Sequence, residues 1–117
     1  MVREAMEAAD VLSSGGISAE VIDPRTLKPL DIDLIVNSVK KTGRLVVADP
    51  DWPCCSFSEH VAYLVATKLF NILKSPIERV TFPDTPVPAS TPLERAYFPK
   101  CDDIIEAVKR TLEEVKV

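Results

Sequence analysis

Apolar positions recur along the chain with two periods, one helical and one strand-like. Ala5, Ala8, Ala9 and Leu12 fall at i, i+3, i+4 and i+7, which predicts a helix over residues 2–14 with one apolar face. Small alanines on that face call for close packing against a sheet. Ser13-Ser14-Gly15-Gly16 ends the helix, because glycine takes positive φ without steric cost. Ile17 to Ile22 reads as a strand, stopped by Asp23-Pro24. Asp31 is placed to cap a second helix, in which Ile32, Ile35, Val36 and Val39 repeat the helical spacing. Asp33 near its start, Lys40 and Lys41 near its end, and Gly43 beyond it suit the helix dipole and the C-cap.

The pattern then turns strand-like. Arg44 to Ala48 holds Leu45-Val46-Val47, an apolar run that suits a parallel strand covered on both faces. Asp49 to Cys55 is a loop containing Pro50 and Pro53. Ser56-Phe57-Ser58-Glu59 fits the S-x-x-E capping box, so a broadly apolar helix should run from about Ser58 to Leu73, broken by Ser75-Pro76. Ile77 to Phe82 is the third predicted strand. Pro83 to Pro99 carries five prolines and reads as an extended, ordered connector. Asp102 and Asp103 favour the start of a last helix, with Ile105, Val108, Leu112 and Val115 as its buried stripe.

The predicted order is α-β-α-β-α-β-α. Such alternation points to an α/β fold with helices on both faces of a mainly parallel sheet, that is, three α/β/α layers. A strand would ordinarily precede residues 2–14. The pattern therefore reads as one domain, residues 1–117, that lacks its first strand and is a fragment of a longer protein.

Composition narrows the function classes. The chain has 117 residues, 46% hydrophobic and 27% charged, enough for one domain with a real core. Its net charge of −4 disfavours nucleic acid or an anionic membrane as partner, since both call for a basic surface. No apolar run approaches the ~20 residues of a membrane span. The first ten residues are amphipathic and acidic, unlike a signal peptide. Three cysteines, Cys54, Cys55 and Cys101, are an odd number without framework spacing, which fits a reducing, intracellular setting.

Candidate chemistry is sparse. Asp49 and Asp51 follow a strand at its C-terminal end, where open α/β sheets place ligands. A phosphoacceptor aspartate could sit there, but Asp23, Asp31 and Arg79 are poorly placed for its usual companions, and loop or cap carboxylates are the plainer reading. Cys54, Cys55 and His60 could form a thiolate–imidazole pair near a helix start. No glycine-rich oxyanion motif accompanies them, and buried apolar cysteine is the plainer reading. A zinc site wants about four ligands, and no C-x-x-C pair is present. With only Gly15, Gly16 and Gly43, the chain has little backbone with which to wrap a phosphate. Trp52-Pro53 holds the single tryptophan, in a loop at the strand ends, and is either an interface anchor or a lid on the core. Self-association through these loops is a further expectation.

Several motifs together resemble one family. Asp23, Arg25, Thr26, Leu27, Pro29, Leu30 and Asp31 match D-x-R-T-L-x-P-L-D. Ser38 to Val47 is similar to a helix-to-strand passage of the same family, and Trp52-Pro53 follows as in its pyruvate dehydrogenase branch. Ser75 to Thr81 resembles A-P-I-x-R-V-T, Asp84 to Pro88 resembles D-x-P-x-P, and Leu93-Glu94, Pro99 and Ile104 complete the series. The family is the C-terminal transketolase-like domain of the β subunit of 2-oxoacid dehydrogenase E1 components, the pyruvate, branched-chain and acetoin group. Its usual G-x-G before the third helix is Ser56-Phe57-Ser58 here, and its helix glutamate falls at or beside His60.

The resemblance implies a non-catalytic assembly and docking domain. In the parent enzymes thiamine diphosphate and Mg²⁺ sit between other domains, so this domain is expected to bind no cofactor or metal and to contribute no catalytic residue. Partners would be the N-terminal half of the same β subunit, a second β subunit, the E1 α subunit, and the basic subunit-binding domain of the E2 acyltransferase. Arg25, Trp52 and Pro53 are the expected interface residues. Localisation would be the cytoplasm of a prokaryote or the mitochondrial matrix. The rivals are the corresponding domain of a transketolase or a deoxyxylulose phosphate synthase, and a free-standing α/β binding module or small thiol enzyme using Cys55 and His60.

Overall fold

The computed structural model describes residues 1–113. Its elements are α1 (Val2–Ser14), α2 (Ile32–Thr42), β1 (Val46–Ala48), α3 (Phe57–Leu69), β2 (Glu78–Val80), α4 (Thr91–Tyr97) and α5 (Cys101–Leu112). β1 and β2 pair in parallel, with Val46 opposite Glu78, Val47 opposite Arg79 and Ala48 opposite Val80. Strand alternation divides the core between the two faces of this ribbon. Leu45, Val47 and Ile77 pack on a cluster of Ile35, Val36, Val39, Val61, Val65 and Leu69 from α2 and α3. Val46 and Ala48 pack on the other, formed by Ala8, Val80, Ile104 and Ala107 of α1, β2 and α5. The layers are α/β/α, as the alternation requires.

Helix ends follow local chemistry. Asp31 accepts from the Leu34 N–H at 3.1 Å and starts α2. Gly43 ends it at φ 75, a left-handed conformation that asks for glycine, with the flexible Lys74 side chain close by. Between α1 and α2 the D-x-R-T-L-x-P-L-D segment holds itself in shape. Arg25 pairs with Asp23 at 2.7 Å, and the Thr26 hydroxyl donates to the Pro29 carbonyl at 3.0 Å.

Several expectations need correction. Ile17–Ile22 joins no sheet, so the described residues contain a two-stranded sheet and not three strands. Between this segment and β1 lies a cavity of about 510 Å³, lined by Ile17–Ile22, by Leu45–Ala48, and by apolar side chains of α1, α2 and α5. An isolated segment cannot make a ladder, because its N–H and C=O groups need a neighbouring strand. β1 is accordingly only half-buried.

The capping box at Ser56 does not form. Asp49, not Ser56, accepts from the Ser58 N–H at 2.9 Å, and Glu59 reaches past Ser56 to the Cys55 N–H at 2.7 Å. The connector from Pro83 to Pro99 contains a helix, because Pro92 falls in the first turn of α4, where no intrahelical N–H is needed. In α5 the buried face is Ile104, Ala107 and Thr111. Ile105 and Val108 pack at its margin, and Leu112 is exposed. Val115 lies outside the described residues.

Candidate functional site

Two parallel strands ending together bring the β1–α3 loop beside the chain that leaves β2. The Asp49 N–H donates to the Val80 carbonyl at 2.9 Å, and the Phe82 N–H to the Asp51 carbonyl at 2.9 Å, which extends the pairing into both loops. Trp52 Nε1 donates to the Thr85 carbonyl at 3.0 Å, and its ring meets Phe82 edge-on at 6.1 Å. Phe82 also packs on Tyr97 at 4.9 Å and on Phe98 at 5.0 Å. The Tyr97 hydroxyl is within hydrogen-bonding distance of the Pro83 and Thr85 carbonyls, at 3.1 and 2.5 Å. Four aromatic rings thus pin the proline-rich connector to the strand ends. Trp52 is still 42% exposed. It is both a lid on this cluster and a surface ring.

Arg79 holds the loop from below. Its Nη1 donates to the Pro53 carbonyl at 2.9 Å and to Ser58 Oγ at 3.3 Å. Reading the sequence alone missed this role, because an arginine inside a strand gives no hint of which loop carbonyl it will reach. Arg25 lies elsewhere in the chain, in the exposed connector between α1 and α2, paired with Asp23. Trp52 and Pro53 are adjacent in the held loop, and Arg25 makes its ion pair within its own connector.

The carboxylates at the strand end are structural. Asp49 caps α3, and Asp51 Oδ1 accepts from the Trp52 N–H at 2.8 Å. This is the loop-and-cap arrangement, with no phosphoacceptor geometry. Cys54 and Cys55 are both exposed, their sulfurs 3.6 Å apart. The hydrogen bond with Cys55, reinforced by the charges of Cys55, Glu59 and Asp84, raises the Cys54 pKa above the ordinary thiol value. A nucleophilic cysteine needs the opposite shift. The His60 ring lies 6.0 Å from that of Phe57, tilted by 47°.

Among the described residues no group of three or more His, Cys, Asp or Glu side chains is placed to hold a metal ion. The positive-φ glycines, Gly16 and Gly43, follow the ends of α1 and α2. No helix among the described residues is long and apolar enough to cross a membrane.

Relatives place this architecture. The chain is 49% identical to the acetoin:2,6-dichlorophenolindophenol oxidoreductase subunit beta of Bacillus subtilis (strain 168), over 97% of this chain and 33% of that protein. It is 45% identical to the pyruvate dehydrogenase E1 component subunit beta of Rickettsia bellii, over 93% of this chain and 34% of that protein. A solved structure described as "Split gene transketolase, inactive beta4 tetramer" superposes with a TM-score of 0.80 at 33% identity, over 95% of this chain and 36% of that one. The chain spans about a third of the length of the curated relatives it matches. The family model described as "Transketolase, C-terminal domain" matches residues 1–104, and with the α/β/α layers and the ordered motifs from Asp23 to Ile104 this chain belongs to the transketolase C-terminal-domain family.

Proposed function

We propose that the chain is the non-catalytic assembly and docking domain of a thiamine diphosphate-dependent 2-oxoacid dehydrogenase E1 β subunit. The parent reaction is decarboxylation of pyruvate or a related 2-oxoacid and transfer of the acyl unit to lipoamide. What carries the reading is the likeness, over almost the whole chain, to proteins named as β subunits of acetoin and pyruvate oxidoreductases. In this reading the chemistry belongs to the other two thirds of the parent, as the share of the relatives' length covered by this chain allows. Thiamine diphosphate and Mg²⁺ then belong there, between the N-terminal half of β and the α subunit.

The cavity beside β1 supports the same reading. Its apolar walls and the unpaired Ile17–Ile22 segment fit one extended strand, lying parallel to β1 and supplied by the polypeptide that precedes Met1 in the full β subunit. Residues 1–117 are then one domain of that longer subunit. Trp52 and Pro53 at the strand ends, and the exposed Arg25, face partner subunits: a second β chain, the α subunit, or the basic subunit-binding domain of the E2 acyltransferase. A net charge of −4 suits the last of these. The setting is the cytoplasm of a prokaryote or the mitochondrial matrix. A transketolase parent is the second reading, favoured by the name of the solved neighbour at 33% identity.

Calorimetric titration of the 117-residue chain with thiamine diphosphate and Mg²⁺ tests the division of labour. No binding heat is expected, and micromolar binding would overturn the proposal.

A further inference from the structure

The assembly reading leaves two neighbouring thiols without a task. Cys54 and Cys55 sit at the exposed crest of the β1–α3 loop with their sulfurs 3.6 Å apart. The loop is tied down on each side of them. Trp52 is bonded to the Thr85 carbonyl, the Pro53 carbonyl accepts from Arg79, and the Cys55 N–H donates to Glu59 Oε2 at 2.7 Å. Cys55 is also the one non-glycine residue with positive φ among the described residues, at 58°. Neighbouring residues in extended backbone point their side chains to opposite sides. Here the left-handed turn at Cys55, held by Glu59, brings both sulfurs to the same side.

We propose that Cys54 and Cys55 form a chelating dithiol site for monosubstituted trivalent arsenicals. Soft sulfur donors select thiophilic elements. The number and spacing of donors then choose among them. Zinc wants about four ligands, and no group of three or more His, Cys, Asp or Glu side chains converges among the described residues. A linear two-coordinate cation sits between its sulfurs and holds them farther apart than van der Waals contact. Pyramidal arsenic bearing one organic group forms bonds to two sulfurs that lie nearly in contact. In the step, two S–H bonds and the arsenic–oxygen bond break, two arsenic–sulfur bonds form, and the oxygen leaves with both protons as water. Arsenic stays trivalent, so no oxidant or reductant is needed. The Cys54 thiol, raised above its ordinary value first by the hydrogen bond with Cys55, gives up its proton as its arsenic–sulfur bond forms, so binding should quicken as pH rises, and the reacting arsenical is uncharged. The site does not depend on the assembly reading.

Phenylarsine oxide is the probe. The 117-residue chain is titrated and read by native intact mass and by the number of thiols left reactive toward a chromogenic disulfide. One phenylarsenic per chain is expected, with two of the three thiols lost, reversed by a small dithiol and not by excess monothiol. Cys101→Ser should leave binding intact. Cys54→Ser or Cys55→Ser should weaken it by roughly 10²-fold or more, the gain expected when a second bond closes intramolecularly. Both positions are exposed, and circular dichroism checks that the variants stay folded. Three reactive thiols after equimolar phenylarsine oxide would overturn the proposal, as would loss of the site in Cys101→Ser. Affinity should fall several-fold when the chain is unfolded in guanidinium. An unchanged affinity would show that adjacency in sequence suffices and would overturn the role given to the loop.

Discussion

Asp49 leaves the end of β1 and accepts from the Ser58 N–H, so one side chain ends a strand and starts a helix. Glu4 of α1 does the same work at a distance, accepting from the Cys101 N–H at 3.1 Å at the start of α5. Asp49→Ala should cost about 1 kcal/mol, the usual value of a lost N-terminal cap, seen as a lower denaturant midpoint with an unchanged slope. Glu20 shows the electrostatic counterpart. Hydrogen bonds from Lys41 and then Ser38, the latter at 2.6 Å, hold its carboxyl below the ordinary glutamate range. With the folded value below the unfolded one, its stabilisation is present above the ordinary glutamate pKa and is lost as pH falls through the folded value. The melting-temperature gap between wild type and Glu20→Gln should therefore be largest near neutral pH, close on acidification and shrink with salt. A gap that widened in acid would contradict this pairing. Asp31 and Gly43 were legible in the sequence because a cap and a C′ glycine act within a few residues. Glu59 bonding Cys55 was not, because it depends on a positive φ that no residue type announces.

At the scale of elements, the seam between α1 and α5 shows how small residues set helix position. Ala8 is 1% exposed and Ala107 is 0% exposed. Ala107, with Ile104 and Thr111, faces the core one position away from the stripe of larger residues, and one position turns a helix by about 100°. Weighting apolar bulk selects Ile105, Val108 and Leu112 instead, since the close approach of α1 rewards smallness. Thr111 is tolerated there because its hydroxyl donates to the Val108 carbonyl at 2.6 Å. Ala107→Leu should destabilise by about 1–3 kcal/mol through overpacking, measured by urea denaturation, although leucine is apolar and a strong helix former. An unchanged midpoint would mean that the seam is looser than its burial implies. A count of five prolines hides α4, because the position of Pro92 in the first turn, not the number of prolines, decides the matter.

For the whole molecule, alternation of helix and strand carried the α/β/α layering and the parallel sheet. Ile17–Ile22 has a strand's sequence but no ladder, because pairing depends on a neighbour outside the segment. The cavity beside β1 and the unpaired segment have one cause in the proposed account, a strand position filled by the rest of a β subunit. The native species carrying this sequence tests that account most directly, by intact mass together with sedimentation of the undissociated assembly. The account predicts a polypeptide about three times as long as this chain, in a complex with a second kind of subunit. A free native monomer of 12.9 kDa, with no associated chain, would contradict it.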